Sequence, residues 1–156
     1  MIRGVHHVAI STPNMERLLG FYRDLIGFEV VMSTEWPKGT EQVDSVLGLK
    51  NSSAKQTMLR LGNLCIEMFE FSSPEPAPMD PKRPVCNHGH THMCFDVTDI
   101  EEVHARLVAA GIEFHVPPQD FGSVKATYGR DPDGNVFELQ ELLDQNDPMQ
   151  LGVLKG

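Results

Sequence analysis

Residues 86–92, Cys-Asn-His-Gly-His-Thr-His, carry a cysteine and three of the seven histidines in the chain. Imidazole nitrogen and thiolate sulfur are the donors that borderline divalent metals prefer. His88, His90 and His92 share strand parity, so a local metal cluster with Cys86 is one reading of the stretch. The other is a polar loop that becomes a strand at His92–Val97. It would give one histidine to a site assembled from elsewhere, with His88 and His90 at the rim or in solvent. The elements around it decide between the two.

Those elements repeat. A displacement of 85 positions places His7 on His92, Asn14 on Asp99, Met15 on Ile100, Glu16 on Glu101 and Leu18 on Val103. The first copy opens with a strand at Gly4–Ile10. Asn14 then caps a helix with apolar positions Leu18, Leu19, Phe21, Tyr22, Leu25 and Ile26, stopped by Gly27. Strands follow at Phe28–Met32, Gln56–Leu61 and Leu64–Phe71, the last two joined by a hairpin at Gly62-Asn63. Within 35–54, Trp36-Pro37 and Gly39 suggest a loop and Val43–Leu49 a short helical turn. Residues 72–87 hold five of the eleven prolines and read as a linker.

The second copy begins with the strand His92–Val97, and Thr98 with Glu101 forms a capping-box pattern. A helix of Ile100, Val103, Leu107 and Val108 ends at Gly111. Strands are expected at Ile112–Val116, Val124–Arg130 and Val136–Leu142, with a turn at Asp131-Pro132-Asp133-Gly134-Asn135. The modules therefore span about 4–71 and 88–142, followed by a polar tail at 143–156. A lone βαβββ module leaves one sheet face uncovered. The expected fold is α+β: one domain of two tandem βαβββ modules whose curved mixed sheets enclose a central metal-binding cavity.

Under the repeat, the first strands contribute His7 and His92, and the last strands Glu67 and Glu138. Both glutamates interrupt apolar runs, where a carboxylate is costly to desolvate without a partner. Two imidazoles and two carboxylates suit a first-row divalent metal. A single strand histidine is ordinarily structural, and the matched set of four is what favours a site. Trp36, His90, Tyr128 and Arg130 are candidate substrate-pocket residues. Glu70 and Glu141, three residues after the glutamates, face the other way and read as surface or pairing residues. Met15, Met68 and Met93 read as core, and His6, His104 and His115 carry no assigned role.

Composition narrows the classes. At 156 residues, 40% apolar and 22% charged, the chain is an ordinary globular sequence. Its net charge of −9 argues against nucleic acid or an anionic membrane as partner. No apolar run approaches a membrane span, and Met1-Ile2-Arg3-Gly4 lacks a signal-peptide pattern. Cys65, Cys86 and Cys94 read as reduced thiols of a cytoplasmic protein.

Taken in order, several stretches resemble the vicinal oxygen chelate superfamily. They are His7-Val8-Ala9-Ile10, Phe21-Tyr22 with Leu25-Ile26-Gly27-Phe28, and Ile66-Glu67-Met68. The second half adds Gly89-His90-Thr91-His92-Met93 and the 131–135 turn leading to Glu138-Leu139. That superfamily includes glyoxalase I, methylmalonyl-CoA epimerase, fosfomycin resistance proteins and extradiol dioxygenases. The resemblance implies one divalent metal ion (Zn, Ni, Co, Mn or Fe) held by His7, Glu67, His92 and Glu138. It also implies a homodimer and a small-molecule substrate with adjacent oxygen atoms.

A ligand at all four positions is similar to the lyase and isomerase branch. There a proton next to a carbonyl moves by way of a metal-bound enediolate, with Glu138 and Glu67 as catalytic carboxylates. Ser11 stands where glutathione-using glyoxalases carry Arg, and the opening His7-Val8-Ala9-Ile10 is closer to the epimerases. Those often have Gln at the position of Glu67, and Glu35 or Glu41 is the candidate for their second acid. The alternatives are a ring-cleaving Fe(II) dioxygenase of the extradiol type, using His7, His92 and Glu138, and a non-catalytic small-molecule binding or resistance protein of the same fold.

Overall fold

The parallel pairing of a first strand with a last strand organises each half of the chain. The computed structural model describes residues 1–151, which fall into two compact units, Met1–Pro78 and the residues from Met79 onward. The last five residues of the predicted tail lie outside the described residues. No helix among the described residues is long and apolar enough to cross a membrane.

In the first unit, β1 (His7–Ser11) lies parallel to β4 (Leu64–Ser73). Antiparallel β3 (Ser53–Leu61) and β2 (Glu29–Trp36) complete the sheet, in the order β1-β4-β3-β2. Parallel neighbours need a long crossover, and here it contains the helix. Asn14 caps α1 (Met15–Leu19), its side chain accepting from the Arg17 N–H at 2.9 Å. The helix continues as a π-helical segment, Gly20–Ile26, closed by Gly27 at φ +102° with its N–H on the Tyr22 carbonyl.

Met15, Leu18, Leu19, Phe21 and Tyr22 are buried, as are Phe28, Leu59, Ile66 and Met68. Leu18, Leu59, Ile66 and Met68 have no exposed surface, and each contributes about 1.5–3 kcal/mol of apolar burial. The hairpin at Gly62-Asn63 is present, closed by the Leu61–Leu64 pair. The helical turn expected near 43–49 is α2, Glu41–Leu47.

The second unit repeats the plan. β5 (His92–Asp96) is parallel to β9 (Val136–Leu142), which pairs with β8 (Val124–Arg130). The helix α3 spans Ile100–Ala109. The strand expected at Ile112–Val116 is shorter, because Pro117 and Pro118 have no N–H to give a ladder. The outer edge is therefore split into β6 (Glu113–Phe114) and β7 (Gln119–Asp120), both on β8.

Two expectations are corrected. Thr98 and Glu101 form no capping box: Asp99 is the cap residue, its own side chain makes no capping bond, and Glu101 pairs with Lys125 at 2.7 Å. The cap comes from the sheet instead. Glu141 of β9 accepts from the N–H groups of Asp99 (2.9 Å) and Ile100 (3.2 Å). Glu70 of β4 does the same for α1, accepting from Met15 N–H at 2.5 Å. These glutamates are thus helix caps held on the last strand of each unit.

The second correction concerns the linker. Ser72 and Ser73 belong to β4, and the segment from Met79 packs onto the second unit. Arg83 donates to the carbonyls of Asn87, His88 and His90, and Arg130 to those of Pro81, Arg83 and Gly134. Two guanidinium groups thereby satisfy six carbonyls in and beside a proline-rich segment that cannot form a ladder of its own. Gly134, at φ +91°, lies so close that a Cβ there would sit 2.4 Å from Pro81 Cα.

A carboxylate accepting two N–H groups at a helix N-terminus stabilises it by about 1–2 kcal/mol. Glu141→Ala is expected to lower resistance to urea by that amount, read from the far-ultraviolet circular dichroism transition. An unchanged midpoint would mean that the bond contributes nothing.

Candidate functional site

The register of each parallel strand pair brings a histidine and a glutamate together. In the first unit His7 pairs with Cys65 and Ala9 with Glu67, so Glu67 stands two residues further along on the same face. His7 Nε2 lies 3.4 Å from Glu67 Oε2. In the second unit His92 pairs with Val136 and Cys94 with Glu138, the same offset, and His92 Nε2 lies 3.1 Å from Glu138 Oε2. Both glutamate side chains are 15% exposed. Among the described residues, no group of three or more histidine, cysteine or acidic side chains gathers as a metal cluster. The local Cys86/His88/His90 cluster is therefore not formed. Each unit presents a pair.

The residue before each histidine holds its other ring nitrogen. His6 Nδ1 is 2.9 Å from His7 Nδ1, and the Thr91 hydroxyl is 2.9 Å from His92 Nδ1. With the proton on Nδ1 of His7 and of His92, each Nε2 keeps a free lone pair toward its glutamate, the tautomer a metal ligand needs. His6, which carried no assigned role, is the ring that meets His7 Nδ1. Its signal was its position: it lies 85 residues before Thr91, as His7 does before His92.

The surroundings of the pairs differ. Gln56 of β3 donates its amide N–H to Glu67 Oε1. Trp36 packs edge-on against Phe69 and Phe71, with centroids 5.9 and 6.0 Å away, and its indole N–H donates to the Ser52 hydroxyl. Trp36, Phe69 and Phe71 lie on the Glu67 face of the sheet by register. In the second unit the Tyr128 ring lies 4.8 Å from that of His92, and its hydroxyl pKa is raised by burial and by the Glu138 charge.

His90 is exposed, in the loop that Arg83 gathers. Arg130 spends its guanidinium on backbone carbonyls. Asp131 is buried, and burial raises its pKa while bonds from Asn135 and Asp133 offset part of that effect. It holds the turn between β8 and β9. Phe69, Phe71, Gln56 and Cys94 are neighbours of the pairs that the sequence reading passed over. None has a repeat partner of its own type.

Residues 4–139 match the Glyoxalase/Bleomycin resistance protein/Dioxygenase superfamily, and the chain belongs to it. It is 28% identical to YaeR of Escherichia coli, over 90% of this chain and 97% of that protein. It is 27% identical to a 2-epi-5-epi-valiolone epimerase from an Actinomyces species, over 62% of this chain and 53% of the epimerase. A glyoxalase family protein from Bacillus cereus superposes with a TM-score of 0.83 at 24% identity, covering 92% of this chain and 97% of that one. The fosfomycin resistance protein FosX from Listeria monocytogenes, solved with Mn(II) and sulfate, gives 0.61 at 18% identity, over 90% and 93%.

Cys94 supplies a measurement. Crowding by its neighbours, then the charge and hydrogen bond of Glu138, push its thiol up to about 12, although the residue keeps exposed surface. Below that pH the thiol form dominates, and only thiolate alkylates quickly. In chelator-treated protein at pH 8, iodoacetamide is expected to label Cys94 more slowly than exposed Cys86, and Glu138→Gln to narrow the gap. Mass spectrometry of the labelled peptides reads both, and equal rates would contradict the assignment.

Proposed function

We propose that the chain is a divalent-metal-dependent isomerase or lyase that moves a proton on the carbon next to a carbonyl. The observation that carries this is the twofold occurrence of one construction. In each unit a histidine with its Nδ1 engaged faces a glutamate across a parallel strand pair. An imidazole nitrogen and a carboxylate oxygen aimed at each other fit a borderline metal as donors. His7, Glu67, His92 and Glu138 would hold it. When bound, such an ion polarises a carbonyl oxygen and stabilises negative charge on it.

The residues themselves then divide the work. The Glu138 carboxylate takes the proton from the carbon next to the carbonyl and returns it to the other face or to the neighbouring carbon. His7 and His92 would hold the ion through Nε2, with Nδ1 engaged by His6 and Thr91. Trp36, Phe69 and Phe71 offer an apolar surface to the remainder of a small substrate, and Tyr128 a hydroxyl beside Glu138. The epimerase relative supports an isomerase, and FosX supports Mn(II) as an ion this fold accommodates. We further propose a homodimer acting in the cytoplasm.

Metal analysis tests the reading. The purified protein is expected to hold about one divalent ion per chain, and His7→Ala or His92→Ala to weaken it by tenfold or more. A protein that holds none and is not stabilised by Mn(II), Ni(II), Co(II), Zn(II) or Fe(II) in a melting assay would overturn it. Glu67→Ala is expected to weaken binding too. Unchanged affinity there would leave a three-ligand site and favour ring cleavage by Fe(II), measurable as oxygen uptake with catechols.

A further inference from the structure

The two glutamates stand at equivalent places and are held differently. Glu67 pairs across the hairpin with Met58 of β3, and Glu138 with Tyr128 of β8. Two residues earlier on those strands, Gln56 is opposite Phe69, and Ala126 is opposite Gln140. Gln56 and Ala126 are therefore register equivalents, each diagonal to its unit's glutamate on the same face. The Gln56 amide donates to Glu67 Oε1, while Oε2 faces His7. Both Glu67 oxygens are thus committed. Ala126 has nothing to donate. Glu138 has His92 beside Oε2, accepts a hydrogen bond from the Cys94 thiol and lies near Tyr128.

We propose that Gln56 is a positioning residue that locks Glu67 as a fixed metal ligand, a hold that Ala126, lacking an amide, cannot give Glu138. A side-chain amide always carries an N–H donor and does not itself titrate. Restraining a ligand before the ion arrives removes rotamer entropy that binding would otherwise cost. Partners of this kind are worth about 10–100-fold in metal affinity. The two histidine–glutamate pairs are therefore unequal by construction, one carboxylate held by a side-chain amide and the other by a thiol. This inference rests on the metal-site reading above.

The test is a double-mutant cycle read by Mn(II) affinity, with free Mn(II) measured by electron paramagnetic resonance. Gln56→Met keeps the length of the side chain and removes the donor. It is expected to weaken Mn(II) about 10–100-fold while leaving the melting temperature of chelator-treated protein within a few degrees. In a Glu67→Ala background the same substitution is expected to cost nothing further. Gln56→Thr, a good strand former, serves if the Met variant fails to fold. Equal losses in both backgrounds would mark a general packing role and overturn the proposal, as would wild-type affinity in Gln56→Met. A wild-type chain that binds no Mn(II) or other divalent ion would remove the metal-site reading itself, and this inference with it.

Discussion

The structure depends on pairing the first strand of each unit in parallel with the last. Parallel neighbours cannot be joined by a tight turn and need a crossover of about a dozen residues or more. Here that crossover holds a helix and the remaining strands of each sheet. The pairing also sets the chemistry, because a fixed parallel register decides which side chains meet. His7 and Glu67, and His92 and Glu138, come together since each pair sits at the same offset on strands joined in the same sense. A slip of one residue would turn either glutamate to the opposite face.

The last strand of each unit serves two faces at once. Glu67 and Glu138 point to one side. Three residues on, an odd step, Glu70 and Glu141 point to the other and receive the N-terminal N–H groups of the helices. The helix dipole favours a carboxylate there. The strand that presents a site carboxylate is therefore anchored from behind by the helix it caps. Helix position and site position are consequently coupled through one short stretch of backbone.

Much of this was legible in the sequence because it repeats. Asn14 before an amphipathic run, Gly27 and Gly111 as stops, and the Gly62-Asn63 hairpin are local signals, each with a local cause. The four candidate site residues emerged from equivalence across 85 or 71 positions, which needs no structure. What was not legible has long-range causes. Thr98 and Glu101 match a capping pattern, but a carboxylate some forty residues away does the capping, and only the fold brings it there. The prolines of 74–84 suggest an unpaired linker. Arg83 and Arg130 instead supply the donors that a ladder would, and nothing local marks an arginine for that use. Gln56 gave no sign because the second copy has no counterpart to it.

The outer edges of the two sheets carry a consequence beyond the site. An exposed edge strand offers a row of free N–H and C=O groups to which a foreign chain can add. In the second unit, Pro117 and Pro118, which have no N–H, separate the edge into two-residue pieces, too short to template a neighbour. In the first, β2 is a long edge with exposed Val30, Val31 and Met32, but its register slips between Val30 and Met32, and a slipped edge twists away from flat addition. The prolines that shorten one expected strand and the register slip in another thus guard these two edges of a chain rich in β-structure against addition of a further strand.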